Sequence, residues 1–288
     1  MSSEHPATAI LFPGQGSQTS GMAALTAAQR PDLLAQATAE LGADPFERIG
    51  ESTRFAQPAI YCASLAHWER AGSPTGEMIA GHSLGELAAL VAGGALGAEE
   101  GLRLAVTRGR LMDEAAAENP GSMLAVLGGA EEAVRELARR FELTVANENA
   151  PGQVVLSGPS DAVAEARKAL RAEGVKAIRL PVAGAFHSPL MAGAAERFRE
   201  ALAEVEFAPL ERPVFSSTAA APFTDVRAGL VAALTEPVLW TETLRQMQAA
   251  GAERFLETGP GDVLTGLVRR TLPTAEARSL AEPEAVHA

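Results

Sequence analysis

The stretch Glu77-Met78-Ile79-Ala80-Gly81-His82-Ser83-Leu84-Gly85-Glu86-Leu87-Ala88-Ala89-Leu90-Val91 decides how the rest of the chain is read. Residues 77–80 form a short, largely apolar run that fits a buried strand, and from Leu84 to Val91 the pattern is that of a helix leaving it at once. Between them Gly81-His82-Ser83-Leu84-Gly85 fits G-x-S-x-G. In that turn the glycines let the chain bend without a Cβ clash, and the serine hydroxyl stands exposed at a helix N-terminus. The helix dipole and its unpaired N–H groups favour negative charge there, and the Leu84 N–H is available to a tetrahedral oxyanion.

Working outward, Ala9-Ile10-Leu11-Phe12 is a second buried strand, ending in the glycine turn Pro13-Gly14-Gln15-Gly16-Ser17-Gln18. Helical patterning follows from Met22 to Leu41, broken at Pro31, then from Pro58 to Ala71, and again over residues 99–117 with Arg108 and Met112. Strand and helix alternate, which favours a parallel sheet covered by helices. From Ser122 the order becomes strand 123–127, helix 131–140, strands 143–146 and 153–157, helix 162–172 and strand 176–181. This βαββαβ order is that of a small ferredoxin-like unit, so residues 122–183 are expected to be inserted between two parts of a larger α/β body, 1–121 and 184–288. The remainder predicts helices at 191–205 and 241–250, strands at 213–216 and 254–257, and a Glu- and Ala-rich tail beyond Pro273 that is loose at its end.

The 288 residues carry 24 basic and 36 acidic side chains, a net charge of −12, which argues against nucleic acid as a partner. Lys168 and Lys176 are the only lysines. Cys62 is the single cysteine, so an internal disulfide and a thiolate metal cluster are both excluded. Residues 1–6 lack the pattern of a secretory leader, and no apolar run approaches the ~20 residues of a membrane span. A cytoplasmic protein is expected.

A serine nucleophile needs a base. Of the five histidines, His5 and His287 are terminal, His67 lies mid-helix beside Trp68, and His82, as an elbow neighbour, is expected to point away from Ser83. His187, in Gly184-Ala185-Phe186-His187-Ser188-Pro189, remains, at the border between the two units where clefts form. A plain α/β-hydrolase would place an acid and then the histidine near its C-terminus, whereas about a hundred residues follow His187. A serine thioesterase or hydrolase stays as the alternative.

Gly14-Gln15-Gly16-Ser17-Gln18, Gly81 to Glu86, Arg108-Gly109 with Met112, Asn149 to Gly158, Phe186 to Met191 and Gly259-Pro260-Gly261 together resemble the malonyl-CoA:acyl carrier protein transacylase family and the similar acyltransferase domains of polyketide synthases. The resemblance implies a large α/β-hydrolase-like subdomain with a parallel sheet, interrupted by a small ferredoxin-like βαββαβ subdomain. It also implies ping-pong transfer of malonyl from malonyl-CoA, through a Ser83 ester, to the phosphopantetheine thiol of an acyl carrier protein. On the matching positions His187 moves the proton, the Gln15 and Leu84 N–H groups receive the oxyanion, and Arg108 holds the malonyl carboxylate. His82, Met112, Asn149 and Phe186 border the acyl pocket, and bulky Phe186 disfavours an α-methyl branch. Lys176, Arg269 and Arg270 match cations that meet the carrier protein or CoA phosphates. The family histidine is oriented by a main-chain carbonyl, for which Ala233 stands where relatives often have glutamine. No bound cofactor, metal or membrane is implied, and a monomer is expected. A discrete polyketide acyltransferase with another acyl-CoA preference, and a carrier-binding module without activity, remain open as alternatives.

Overall fold

The computed structural model describes residues 6–281. His5, His287, most of the segment read for a leader and the end of the tail lie outside the described residues. The chain runs β1 (Ala7–Phe12), α1 (Met22–Gln29), α2 (Pro31–Leu41), α3 (Thr53–Arg70), β2 (Met78–Gly81), α4 (Gly85–Ala92) and α5 (Ala98–Glu118). Next come β3 (Gly121–Leu127), α6 (Glu131–Arg140), β4 (Thr144–Ala150), β5 (Gln153–Pro159), α7 (Ser160–Ala172) and β6 (Lys176–Arg179). It closes with α8 (Ala192–Ala203), β7 (Val214–Ser216), β8 (Ala221–Pro222), α9 (Val226–Ala232), α10 (Trp240–Ala249), β9 (Ala252–Glu257), α11 (Val263–Thr271) and β10 (Glu276–Ser279).

The larger sheet has the order β10-β9-β1-β2-β7-β8 and is parallel except for the β7–β8 pair. Its central strands read as unbroken apolar runs because both faces are covered: Ile10 and Phe12 pack into the cluster with Ile60 and Leu87, and Ala9 and Leu11 into the one with Trp240 and Phe255. β1 and β2 are neighbours with Phe12 opposite Gly81, and the His82 N–H donates to the Phe12 carbonyl at 2.9 Å. The glutamine loop after β1 and the elbow after β2 therefore leave the sheet side by side, at the carboxyl ends of parallel strands where ligands bind in such sheets.

The smaller sheet, β4-β5-β3-β6, is antiparallel throughout, the order expected of the ferredoxin-like unit. Leu124, Val126 and Leu156 pack against Val134 and Leu137 of α6 and Val163 and Leu170 of α7. Met123 and Val155, from the same strands, join the core of the larger body, as period-two alternation requires. The outer edge of β4 is tied to that body as well: the Val238 N–H donates to the Ala146 carbonyl and the Glu148 N–H to the Val238 carbonyl, each at 2.8 Å.

Several expectations need correction. α3 begins at Thr53, not Pro58, because Ser52 caps it, accepting from the Arg54 N–H at 3.3 Å, and buried Phe55 anchors its first turn. The tail beyond Pro273 carries a strand that the sequence pattern does not predict: Glu276–Ser279 pairs in parallel with the open edge of β9. Two further helices are not predicted: α9, seven residues long and capped by Asp225 on the Ala228 N–H (3.0 Å), and α11, whose Leu264, Leu267 and Val268 share one buried face and whose Leu264 and Thr265 N–H groups donate to buried Glu257 (3.0 and 2.7 Å).

Candidate active site

Ser83 sits between β2 and α4 at φ +51°, a left-handed conformation that costs a non-glycine residue about 1–2 kcal/mol. The surrounding turn over-determines it. A Cβ on Gly81 would lie 2.0 Å from the Gly85 carbonyl carbon, and one on Gly14 would lie 2.5 Å from the His82 carbonyl oxygen. Glycine at 81 thus permits the elbow, and glycine at 14 lets the Gln15 loop lie against it.

The Ser83 hydroxyl is 2.9 Å from His187 Nε2. His187 is also left-handed, at φ +56°, in a turn where the Ser188 hydroxyl donates to the Ala185 carbonyl at 2.6 Å and accepts from the Leu190 N–H at 3.3 Å. Burial lowers the imidazole pKa to about 3, helped by the charge of Arg108 and by His82 and opposed by the carbonyls of Glu236 and Ala233. The ring is therefore neutral at ordinary pH. Its Nδ1 faces those carbonyls without reaching hydrogen-bond geometry. Among the described residues no carboxylate bonds to it.

Arg108, on α5, is 4% exposed yet forms no ion pair among the described residues. Its Nη2 donates to the Ser83 hydroxyl at 3.1 Å and its Nη1 to Gln57 Oε1 at 2.7 Å. Gln57 Nε2 donates in turn to the Thr53 hydroxyl at 2.9 Å, and that hydroxyl donates to Gln15 Oε1 at 3.2 Å. One chain of bonds thus links the loop after β1, the first turns of α3 and the arginine. Burial lowers the Arg108 pKa to about 10, and Glu86 works in the opposite direction. Glu86, fully buried on α4, accepts from the Ser217 N–H (2.7 Å) and hydroxyl (2.9 Å), and burial raises its pKa to about 7 against the pull of those bonds and Arg108.

These groups border a cleft of about 390 Å³ between the larger body and the small sheet. Gln15, His82, Ser83, Leu84, Arg108, Met112, Asn149, Phe186 and His187 all line it, with Met123 and Val155 of the small sheet as apolar wall. His82 does not turn wholly away. It lines the cleft, but its Nε2 is 2.8 Å from Asn149 Oδ1 and its ring meets Trp240 edge-on, so its polar contact is with β4 and not with the serine. His67 is buried on α3, and burial lowers its pKa to about 4. Lys176, Arg269 and Arg270 are outside the cleft: Arg269 Nη2 donates to the Ala277 carbonyl at 3.1 Å and Arg270 Nη1 to Gln153 Oε1 at 2.6 Å. Among the described residues no group of three or more His, Cys, Asp or Glu is gathered as a metal-ligand set.

Gln57 and Thr53 lie in the first turns of α3, ahead of the Pro58 start that the sequence pattern predicts. A serine at 52 followed by an apolar Phe55 was the available cap signal. No local pattern marks Glu86 as a buried charge near Arg108.

The acyl transferase domain model matches residues 47–283. The chain is 39% identical to the malonyl CoA-acyl carrier protein transacylase of Escherichia coli K12, with 97% of each protein covered. It is 41% identical to the polyketide biosynthesis protein ThaF of Burkholderia thailandensis over 96% of this chain, which spans only 25% of that longer protein. Among solved structures, the malonyl-CoA:acyl carrier protein transacylase of Xanthomonas oryzae pv. oryzae superposes with a TM-score of 0.89 at 35% identity, covering 97% of this chain and 96% of that one.

Proposed function

The chain belongs to the acyl transferase domain family, and we propose that it transfers the malonyl group of malonyl-CoA to the phosphopantetheine thiol of an acyl carrier protein, for fatty acid or polyketide synthesis. The observation that carries the reading is the double contact of the Ser83 hydroxyl, with His187 Nε2 on one side and Arg108 Nη2 on the other. A buried guanidinium beside a nucleophile, with no carboxylate bonded to it among the described residues, calls for a substrate anion close to the reacting carbonyl. A guanidinium fits a planar carboxylate with two parallel donors, and in a desolvated cleft that pair is strong.

Neutral His187 accepts the Ser83 proton as Oγ attacks the thioester carbon. The resulting oxyanion is received by the N–H groups of Gln15 and Leu84, the latter at the start of α4. The C–S bond then breaks, the CoA thiolate takes the proton from His187, and malonyl-Ser83 remains. The carrier thiol gives its proton to His187, attacks the ester and leaves as malonyl thioester, while Ser83 recovers its proton. Docking of the malonyl carboxylate neutralises Arg108, one of the charges that disfavour the imidazolium, so substrate binding itself makes His187 a better proton acceptor. The chemistry needs no metal or bound cofactor. Phe186, 7% exposed in the cleft wall, favours malonyl over an α-branched acyl group. In this reading the enzyme works in the cytoplasm, which an acyl-CoA donor and a carrier-protein acceptor support, and acts as a monomer.

The test is CoA release from malonyl-CoA with and without holo acyl carrier protein. Transfer predicts that sustained turnover requires the acceptor and yields malonyl-carrier. Continuous release of free malonate at the same rate in both would identify a thioesterase and refute the proposal.

A further inference from the structure

Outside the cleft, one face of α7 and the edge strand β6 enclose a second cavity of about 300 Å³, into which Arg167, Lys168, Arg171 and Arg179 converge. Lys168 is matched by Glu165 at 2.7 Å. Arg167, Arg171 and Arg179 form no ion pair among the described residues, although arginines elsewhere on this acidic surface, such as Arg30, Arg48, Arg135 and Arg139, each meet a carboxylate. Arg167 Nε is enclosed and has no hydrogen-bond partner, and Arg179 Nε is held on the Ser122 hydroxyl at 2.9 Å. Arg167 and Arg171 stand four residues apart on one helix face, where like charges repel. Three converging guanidiniums in a chain of net charge −12 imply an anion from outside, and their forked donors suit phosphate oxygens.

The cavity and the candidate active site border a common trough. A trough of about 630 Å³ shares Gln15, Leu180, Pro181 and Phe186 with the Ser83 cleft and reaches Arg179, which also lines the cationic cavity. From Val182 at the cleft to Arg179 is a run of three residues, at most roughly 10 Å of extended chain. Glu51 and Asp113 line the trough itself, so it suits an uncharged arm and repels phosphate. A coenzyme A thioester has that distribution: a neutral pantetheine arm next to the sulfur, and diphosphate with 3′-phosphate at the far end.

We propose that the α7–β6 cavity is a phosphate subsite that holds the nucleotide end of the acyl-CoA donor through Arg167, Arg171 and Arg179. The assignment of the donor rests on the function proposed above. The test compares wild type with the Arg167→Ala/Arg171→Ala double variant, after circular dichroism shows equal melting, using malonyl-CoA, malonyl-3′-dephospho-CoA and malonyl-pantetheine. The expected result is a KM for malonyl-CoA raised about tenfold or more, with kcat unchanged and malonyl-pantetheine kinetics the same in both proteins. The dephospho substrate tells which phosphate is held: a KM near that of malonyl-CoA in wild type assigns the diphosphate, and one near that of malonyl-pantetheine assigns the 3′-phosphate. An unchanged KM for malonyl-CoA, or equal changes with malonyl-pantetheine, overturns the subsite. So does a rise confined to the KM for carrier protein, which would make the patch a protein-docking surface. Calorimetric binding of adenosine 3′,5′-bisphosphate separates the two readings. Binding to wild type that the variant loses, without malonyl turnover, retains the subsite and refutes the function; turnover without such binding does the reverse.

Discussion

Replacing Arg108 with alanine should cost the protein its preference for a carboxylated acyl group while leaving its fold intact. In the free protein Nη1 is committed to Gln57 Oε1 and Nη2 to the Ser83 hydroxyl. On malonyl binding Nη2 turns to the carboxylate, so the net gain is that of about two charge-assisted bonds less the one given up. At roughly 1.5–3 kcal/mol for a hydrogen bond to a charged group, this amounts to roughly 3 kcal/mol, or a loss of about a hundredfold or more in kcat/KM. An acetyl donor makes no such bond and loses only the Nη2 contact with Ser83, worth about 1 kcal/mol. Stability changes little. The depression of the Arg108 pKa to about 10 corresponds to about 3 kcal/mol of burial cost that the variant escapes. Leaving Gln57 Oε1 unpaired offsets about 1–3 kcal/mol of it. The assay is kcat/KM for malonyl-CoA and acetyl-CoA in parallel, with a thermal melt of each protein. Equal losses for the two donors at unchanged melting temperature would refute the carboxylate role.

Gln57→Leu removes the acceptor that fixes Arg108 Nη1 and should raise the KM for malonyl-CoA by about tenfold; acetyl-CoA kinetics are the control, and a matching change there would show a purely structural effect. With its pKa depressed to about 3, His187 stays neutral as acid is added, so kcat/KM should remain level from about pH 8 to about pH 5, without the limb near 6.5 of an ordinary histidine. The same depression means that the unfolded chain binds the proton more readily between 6.5 and about 3, so this stabilising contribution is complete above 6.5 and is lost as pH falls through that window. A titration of activity near 6.5 with the fold intact would contradict it. Phe186→Ala enlarges the cleft wall and should improve methylmalonyl-CoA relative to malonyl-CoA by about tenfold, the discrimination a single methyl group allows; competition between the two donors measures it.

Much of the architecture was readable because its signals were local. Met78–Gly81 and Gly85–Ala92 switch from strand to helix within a few residues, and the βαββαβ alternation after Ser122 has clean apolar periodicities. Ser83, His187 and Arg108 could be singled out by residue type and by the family motifs around them, and they lie together in one cleft. What escaped depends on contacts between distant segments. β10 exists because β9 offers a free edge, and nothing in Glu276-Ala277-Arg278-Ser279 shows that edge in advance. Gln57 matters through Arg108, 51 positions away in sequence, and Glu86 through Ser217, 131 away. Arg167 and Arg179 come together only when α7 packs beside β6. Lys176, Arg269 and Arg270 were read from position in the chain, whereas convergence of unpaired charge is a property of the folded surface.

The central claim is that Ser83 carries the acyl group between donor and acceptor. Intact mass spectrometry of the protein after brief exposure to malonyl-CoA, without carrier protein, tests it directly. Transfer through Ser83 predicts an added mass of one malonyl group, lost on addition of holo carrier protein and absent from Ser83→Ala. A protein that consumes malonyl-CoA without such an adduct, or an adduct that persists in Ser83→Ala, would contradict it.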